Sequence, residues 1–159
     1  MPAAGKFERL WIDAQEWGAE RLDRLAARRK RGRTMPAHLI TGLRGERAVM
    51  FELRRRGYVV VARRWTSTKL RGDVDLIAWD GESLCFVEVK TRTKRGLTPA
   101  ESAVDDDKRR MLRNLARAYL QAFPERERAT IPVRFDVISV YSVERDTEFD
   151  FFPAAFGRR

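Results

Sequence analysis

Between Phe7 and Leu25 the apolar positions recur at steps of three and four, or their sums. Phe7, Leu10, Trp11, Ala14, Trp17, Leu22 and Leu25 fall on one stripe, which predicts a single amphipathic helix over residues 7–31. Burying one large apolar side chain is worth about 1.5–3 kcal/mol, so such a stripe is expected to dock on its own domain or on a second copy. Gly32 to Pro36 reads as a linker. A second stripe of Leu39, Leu43, Met50 and Leu53 predicts a helix over 39–56, stopped by Gly57. Tyr58 to Ala62 is rich in β-branched residues and reads as a strand. Asp73 to Trp79 and Leu84 to Thr91 read as two more, joined by a turn at Asp80-Gly81.

Asp105 to Phe123 reads as a helix. Three aspartates open it, Lys108, Arg109, Arg110, Arg113 and Arg117 follow in the order the helix dipole favours, and Pro124 ends it. Val133 to Val143 is apolar at alternate positions and reads as the last strand. Phe149, Phe151, Phe152 and Phe156 make the tail too aromatic to hang free, so it is expected to pack back on the body. The order α-β-β-β-α-β argues a small α/β domain. It divides the chain into an N-terminal helix and basic linker (1–37), a main domain (38–143) and a packed aromatic tail (144–159).

Charge narrows the partners. Lysine and arginine outnumber aspartate and glutamate 33 to 23, a formal net charge of +10 over 159 residues, which predicts a polyanionic partner such as nucleic acid. The run Arg28-Arg29-Lys30-Arg31-Gly32-Arg33 is either a solvated helix end or a phosphate-contacting arm. An anionic membrane surface is the other polyanion the charge allows, and the basic amphipathic helix at 7–31 would serve a membrane-surface or partner-binding protein. One cysteine, Cys85, leaves no intrachain disulfide, and one histidine, His38, argues against a His-based metal centre or a Ser–His pair. Any metal chemistry must rest on carboxylates, which suit Mg²⁺ or Mn²⁺. No stretch approaches the roughly 20 apolar residues of a membrane span. Glu8, Asp13 and Glu16 stand where a signal peptide would be apolar. The expectation is a soluble, cytoplasmic protein with no membrane partner.

The chemistry concentrates in Gly72-Asp73-Val74-Asp75-Leu76-Ile77-Ala78 and Phe86-Val87-Glu88-Val89-Lys90-Thr91. Strand alternation puts Asp73 and Asp75 on one face and Glu88 and Lys90 on one face of the next strand. A loop spanning Asp80 to Ser83 sets Asp75 opposite Glu88; a turn of Asp80-Gly81 alone sets Asp73 there. Both registers place the acids and Lys90 together. Two carboxylates and an ammonium among Val, Ile, Leu and Phe are costly unless they bind something. A divalent cation between the acids removes their repulsion, and a nearby lysine can orient water or stabilise a phosphate. The alternative is an ion-pair cluster on a solvated sheet face.

Glu46 sits on the otherwise apolar stripe of the second helix, either reaching over the sheet edge or pairing with a cation such as Arg47. Arg63, Arg64, Lys69 and Arg71 precede the motif, Arg92, Lys94 and Arg95 follow it, and Lys108 opens the next helix. Together they bracket the site with positive charge, as contacts to a phosphate backbone would. Trp65, placed in a loop, is either core or a base-stacking residue. Cys85 alternates away from the site.

Asp75 followed by Glu88-x-Lys90, behind a helix carrying Glu46, resembles the PD-(D/E)XK nuclease superfamily. Gly45-Glu46 with Ala48, Gly57-Tyr58, Gly72 to Ala78, Phe86 to Arg92 and Arg134-Phe135-Asp136-Val137-Ile138 resemble, more closely, the YraN-like family of bacterial proteins. That family is similar to archaeal Holliday-junction resolvases, and the resemblance spans about residues 38–142. It implies a restriction-endonuclease-like α/β fold, a mixed sheet flanked by helices with an extra N-terminal helix. It makes Asp75 and Glu88 ligands of Mg²⁺ or Mn²⁺, Lys90 the catalytic lysine and Glu46 an accessory acid. No proline precedes the motif aspartate, and Gly-Asp-Val-Asp stands where the family usually has Gly-Glu-Ile-Asp, so the first acid is one methylene shorter. The function implied is metal-dependent hydrolysis of DNA, branched or structured DNA included. The rival is a nucleic-acid-binding protein that cuts little on its own. Two strands to cut would call for two sites, hence the expectation of a homodimer joined through the 7–31 helix.

Overall fold

A computed structural model of the chain describes residues 5–29, 36–92, 104–143 and 146–157. Its elements are α1 (Lys6–Arg29), α2 (Ala37–Arg55), β1 (Val59–Thr66), β2 (Asp73–Asp80), β3 (Ser83–Arg92), α3 (Asp106–Leu120), the single turn α4 (Glu125–Arg128), β4 (Val133–Val143) and β5 (Asp146–Phe156). The five strands form one sheet in the order β1-β2-β3-β4-β5. All neighbours are antiparallel except β3 and β4, whose parallel pairing requires the long crossover that carries α3.

Each face of the sheet has its own core. Leu76, Cys85, Val87, Ile138 and Val140 pack under Val49 and Leu53 of α2. Ile77, Leu84, Phe86, Phe135 and Val137 pack under Leu112, Leu115 and Ala116 of α3. The near-continuous burial of β3 from Leu84 to Glu88 follows from being covered on both faces. Asp105 caps α3, its side chain accepting the Lys108 amide at 2.8 Å.

Several sequence expectations are corrected. The turn between β2 and β3 is Gly81-Glu82, because Asp80 and Ser83 still pair. β1 runs on through Arg63, Arg64, Trp65 and Thr66, so Trp65 is not in a loop. It packs on the α3-side core, edge-on to Tyr119 at 5.2 Å. The aromatic tail is a fifth strand, with Phe149 and Phe151 on the α2 side and Phe152 and Phe156 on the other.

The largest correction concerns α1. Its docked seam on α2 is Ile12, buried against Phe51 and Met50. Around it, Arg54 donates to Gln15 at 2.6 Å, Arg55 donates to Asp13 at 2.9 Å, and Arg55 also pairs with Glu16. Phe7, Leu10, Trp11, Trp17 and Leu22 lie on the opposite side and are exposed, Phe7 at 87%. Periodicity reveals an apolar face, not which face meets the domain; here the arginines of α2 select the polar one. The side chains of Leu25, Arg28 and Arg29 and the rest of the basic run, residues 30–33, lie outside what is described. Among the described residues no helix is long and apolar enough to cross a membrane.

Candidate active site

The site lies where two strands part. β2 and β3 pair from Asp80↔Ser83 as far as Leu76↔Val87. Beyond that, Asp73 and Val74 pair only with β1, and Glu88 to Arg92 only with β4. The register continued by one residue sets Asp75 across from Glu88, the first of the two arrangements expected. With no ladder partner on β2, the Val89 amide donates instead to Asp75 Oδ2 at 2.7 Å. That bond fixes the carboxylate in the fork.

α2 roofs the fork from one side. A Cβ on Gly45 would collide with Thr91 Oγ1 and press on Val140 Cγ1 at 3.0 Å, so only glycine lets the helix come this close to β3 and β4. The next residue, Glu46, is thereby delivered over the fork. It lines a cavity of about 430 Å³ with His38, Thr41, Gly42, Asp75, Glu88, Val89 and Thr91. Gly72, at φ +91°, turns the chain into β2 where a Cβ would run into the Met111 sulfur of α3.

Glu88 is 4% exposed and meets two lysines. Lys90 Nζ donates to its Oε1 at 3.0 Å, and Lys108 Nζ lies 2.9 Å from its Oε2. Burial, and then the facing Glu88 carboxylate, push Asp75 up to about 7, against the pull of the Val89 amide. Burial also raises Glu46, opposed by Arg64 and reinforced by Asp73. Burial alone would depress Lys108, but the Glu88 carboxylate overrides it and holds the ammonium above its usual range. Arg64 Nε stands 3.9 Å from Glu46 Oε2 and 3.6 Å from Asp73 Oδ2, from a backbone at φ +46° that few side-chain-bearing residues adopt. Glu46 Oε2 is buried and accepts no hydrogen bond.

The fold thus gathers Asp75, Glu88, Lys90, Glu46 and Lys108, together with Arg64. Glu46 faces Arg64, a cation from β1. Arg63 lies close enough to act on Glu46 but lines a separate groove with Glu8, Met50, Arg54 and Tyr58. Lys69 and Arg71 are exposed on the loop leading to Asp73, and Arg92 ends β3. Lys94 and Arg95 lie outside the described residues. Sequence reasoning missed the cavity-lining His38, Thr41 and Thr91, and the bridging role of Arg64. Nothing in a strand sequence signals a positive φ. Cys85 is buried on the α2 side and away from the fork, its thiol pushed up to about 12 by burial.

The donors are hard oxygens with mutual repulsion, and one buried Glu46 oxygen is without a hydrogen bond, which fits Mg²⁺ or Mn²⁺. Among the described residues no three Asp, Glu, His or Cys side chains stand together as a ready cage. An ion that keeps several waters needs only one or two carboxylates.

A five-stranded mixed sheet between helices, with an aspartate at a strand fork and Glu-x-Lys on the next strand, defines a restriction-endonuclease-like protein. Within that class the chain belongs to the UPF0102, or YraN, family. Residues 45–140 match the family described as "Uncharacterised protein family UPF0102". A UPF0102 protein of Koribacter versatilis is 45% identical over 121 residues, 76% of this chain and 82% of that one. One from Solibacter usitatus is 44% identical over 115 residues, covering 72% and 83%. One from Porphyromonas gingivalis is 40% identical over 106 residues, covering 67% and 74%.

Proposed function

We propose that the protein is a Mg²⁺- or Mn²⁺-dependent nuclease that hydrolyses phosphodiester bonds of DNA, branched or structured DNA among its substrates. The observation that carries this reading is the Asp75–Glu88 pair in the fork, with Asp75 raised to about 7 by burial and by its neighbour. Asp75 and Glu88 would hold the cation, which when bound supplies a Lewis acid for the phosphate and a more acidic water. Lys90, 3.0 Å from Glu88 Oε1, is positioned to orient the attacking water or to meet charge growing on the phosphate. Glu46 offers a buried oxygen to a water on the α2 side of the cavity. The +10 net charge and the exposed Lys69 and Arg71 suit a phosphate backbone.

Linear, nicked, flapped and four-way DNA, incubated with Mg²⁺ or Mn²⁺, tests the reading. Wild type is expected to cut at least one of them, and Asp75→Asn to abolish cutting while far-UV circular dichroism stays native. Cutting by Asp75→Asn at the wild-type rate would refute the site. A second reading, a binder that cuts little by itself, is favoured by one observation: both Glu88 oxygens are already held by lysines. The nuclease reading further takes the protein as a cytoplasmic homodimer, two sites for two strands, joined through the exposed stripe of α1.

A further inference from the structure

Glu88 is held from within the fork. It meets both Lys90 and Lys108, and Lys108 also acts on Asp75, so any cation the acids take up competes with a lysine for an oxygen of Glu88. The two lysines are not held alike. Lys90 donates an aligned hydrogen bond to Oε1 from two residues along the same strand. Lys108 reaches Oε2 from another element, at 2.9 Å but without hydrogen-bond alignment. Its backbone is pinned by the Asp105 cap, so only its flexible stem has to move.

Once displaced, a half-buried ammonium needs another anion. Its helix neighbours do not supply one, because Asp106 is exposed and pairs with Arg109 at 3.8 Å, and Asp107 with Arg110 at 3.3 Å. Asp73, which also acts on Lys108, faces Arg64 at 3.6 Å. A phosphate entering the fork is the group that fits.

We propose that Lys108 is a displaceable counter-ion, holding Glu88 while the acid pair is empty and turning to a nucleic-acid phosphate when a divalent cation takes its place. Lys108 therefore couples cation and phosphate binding, and by linkage each tightens the other by the same factor. This rests on the acid pair being the cation site, as the proposed function requires.

The test uses Lys108→Met and Lys108→Gln in the full chain, with folding checked by circular dichroism. Free Mn²⁺ is counted by electron paramagnetic resonance, without DNA. Both variants are expected to bind Mn²⁺ about fivefold more tightly than wild type, the low end of typical site-to-site coupling. A residue that merely positions Glu88 predicts the opposite sign. Anisotropy of a labelled DNA hairpin then gives the salt slope. The variants are expected to lose roughly one phosphate's worth of slope in Mn²⁺ and none without it. Lys108→Arg, which keeps the charge, is expected to restore both. Unchanged or weaker Mn²⁺ binding in a folded variant overturns the proposal, as does an equal loss of slope with and without Mn²⁺. If wild type takes up no more Mn²⁺ than Asp75→Asn does, the acid pair is not a cation site, and the proposed function falls along with this inference.

Discussion

A carboxyl buried like that of Asp75 makes stability depend on pH. Its ordinary value of 3.8 rises to about 7 in the folded chain, first by burial and then by Glu88. Between those two values the folded state keeps a proton that the unfolded state has released. The folded state therefore binds more protons, and stability falls as pH climbs from about 4 to about 7, with the full cost present above that range. Asparagine removes the ionisation and keeps an oxygen for the Val89 amide. Asp75→Asn is thus expected to melt a few degrees above wild type at pH 8, since each kcal/mol is worth about 2–4 °C in a chain of this size. The gain should shrink at pH 5, as calorimetry at the two pH values would reveal. A gain independent of pH would mean that the aspartate is not strained by its charge. Not every acid of the motifs works this way. Asp136 accepts from Arg134 through both oxygens and from the Ala154 amide, where β5 bulges at φ +51°. Arg134 also reaches Tyr58, just before β1, and Asp80, so the Arg134–Asp136 motif ties the entry to β1, β2, β4 and β5 together.

At the scale of elements, the close approach of α2 depends on Gly45. A methyl there has to displace Thr91 or lift the helix. Gly45→Ala is expected to cost about 1–3 kcal/mol, the usual range for overpacking, and to swing Glu46 away from the fork. Chemical denaturation checks the first effect. An unshifted midpoint would show that Thr91 rotates away without cost. The glycine's place before Glu46 was legible in the sequence; its reason, a helix seated on β3 and β4, was not. The strands carrying Asp75, Glu88 and Lys90 were legible because alternation ties side-chain identity to a face, whichever turn joins them. β5 was not, since Phe151 and Phe152 are adjacent and Pro153 follows, which breaks the alternation at the bulge. The reach of β1 past Ala62 was hidden because an edge strand tolerates Arg63 and Arg64. Lys108 was visible as one more helix cation, but its 2.9 Å contact with Glu88 is set by how α3 crosses the sheet.

For the whole molecule, the unsettled surface is α1. Ile12 and the Arg54–Gln15 and Arg55–Asp13 contacts fasten it to α2, and the apolar stripe is turned outward. Phe7, Leu10, Trp11, Trp17 and Leu22 are all exposed on one side of the helix, and apolar side chains gathered on one exposed face mark an interaction site. Association costs roughly 4–15 kcal/mol. Five such side chains per copy, at about 1.5–3 kcal/mol each when fully buried, are enough to meet it. A two-fold pairing of stripes buries both at once and leaves the forks free, one for each strand of a duplex. The full chain is therefore expected to sediment as a dimer at micromolar concentration. Removing residues 1–34 should leave a folded monomer, because the two sheet cores under α2 and α3 use no residue of α1. Trp11→Asp with Trp17→Asp should do the same without disturbing the Ile12 seam. A full-length protein that sediments as a monomer at high micromolar concentration would refute the pairing and make α1 an appendage of its own domain.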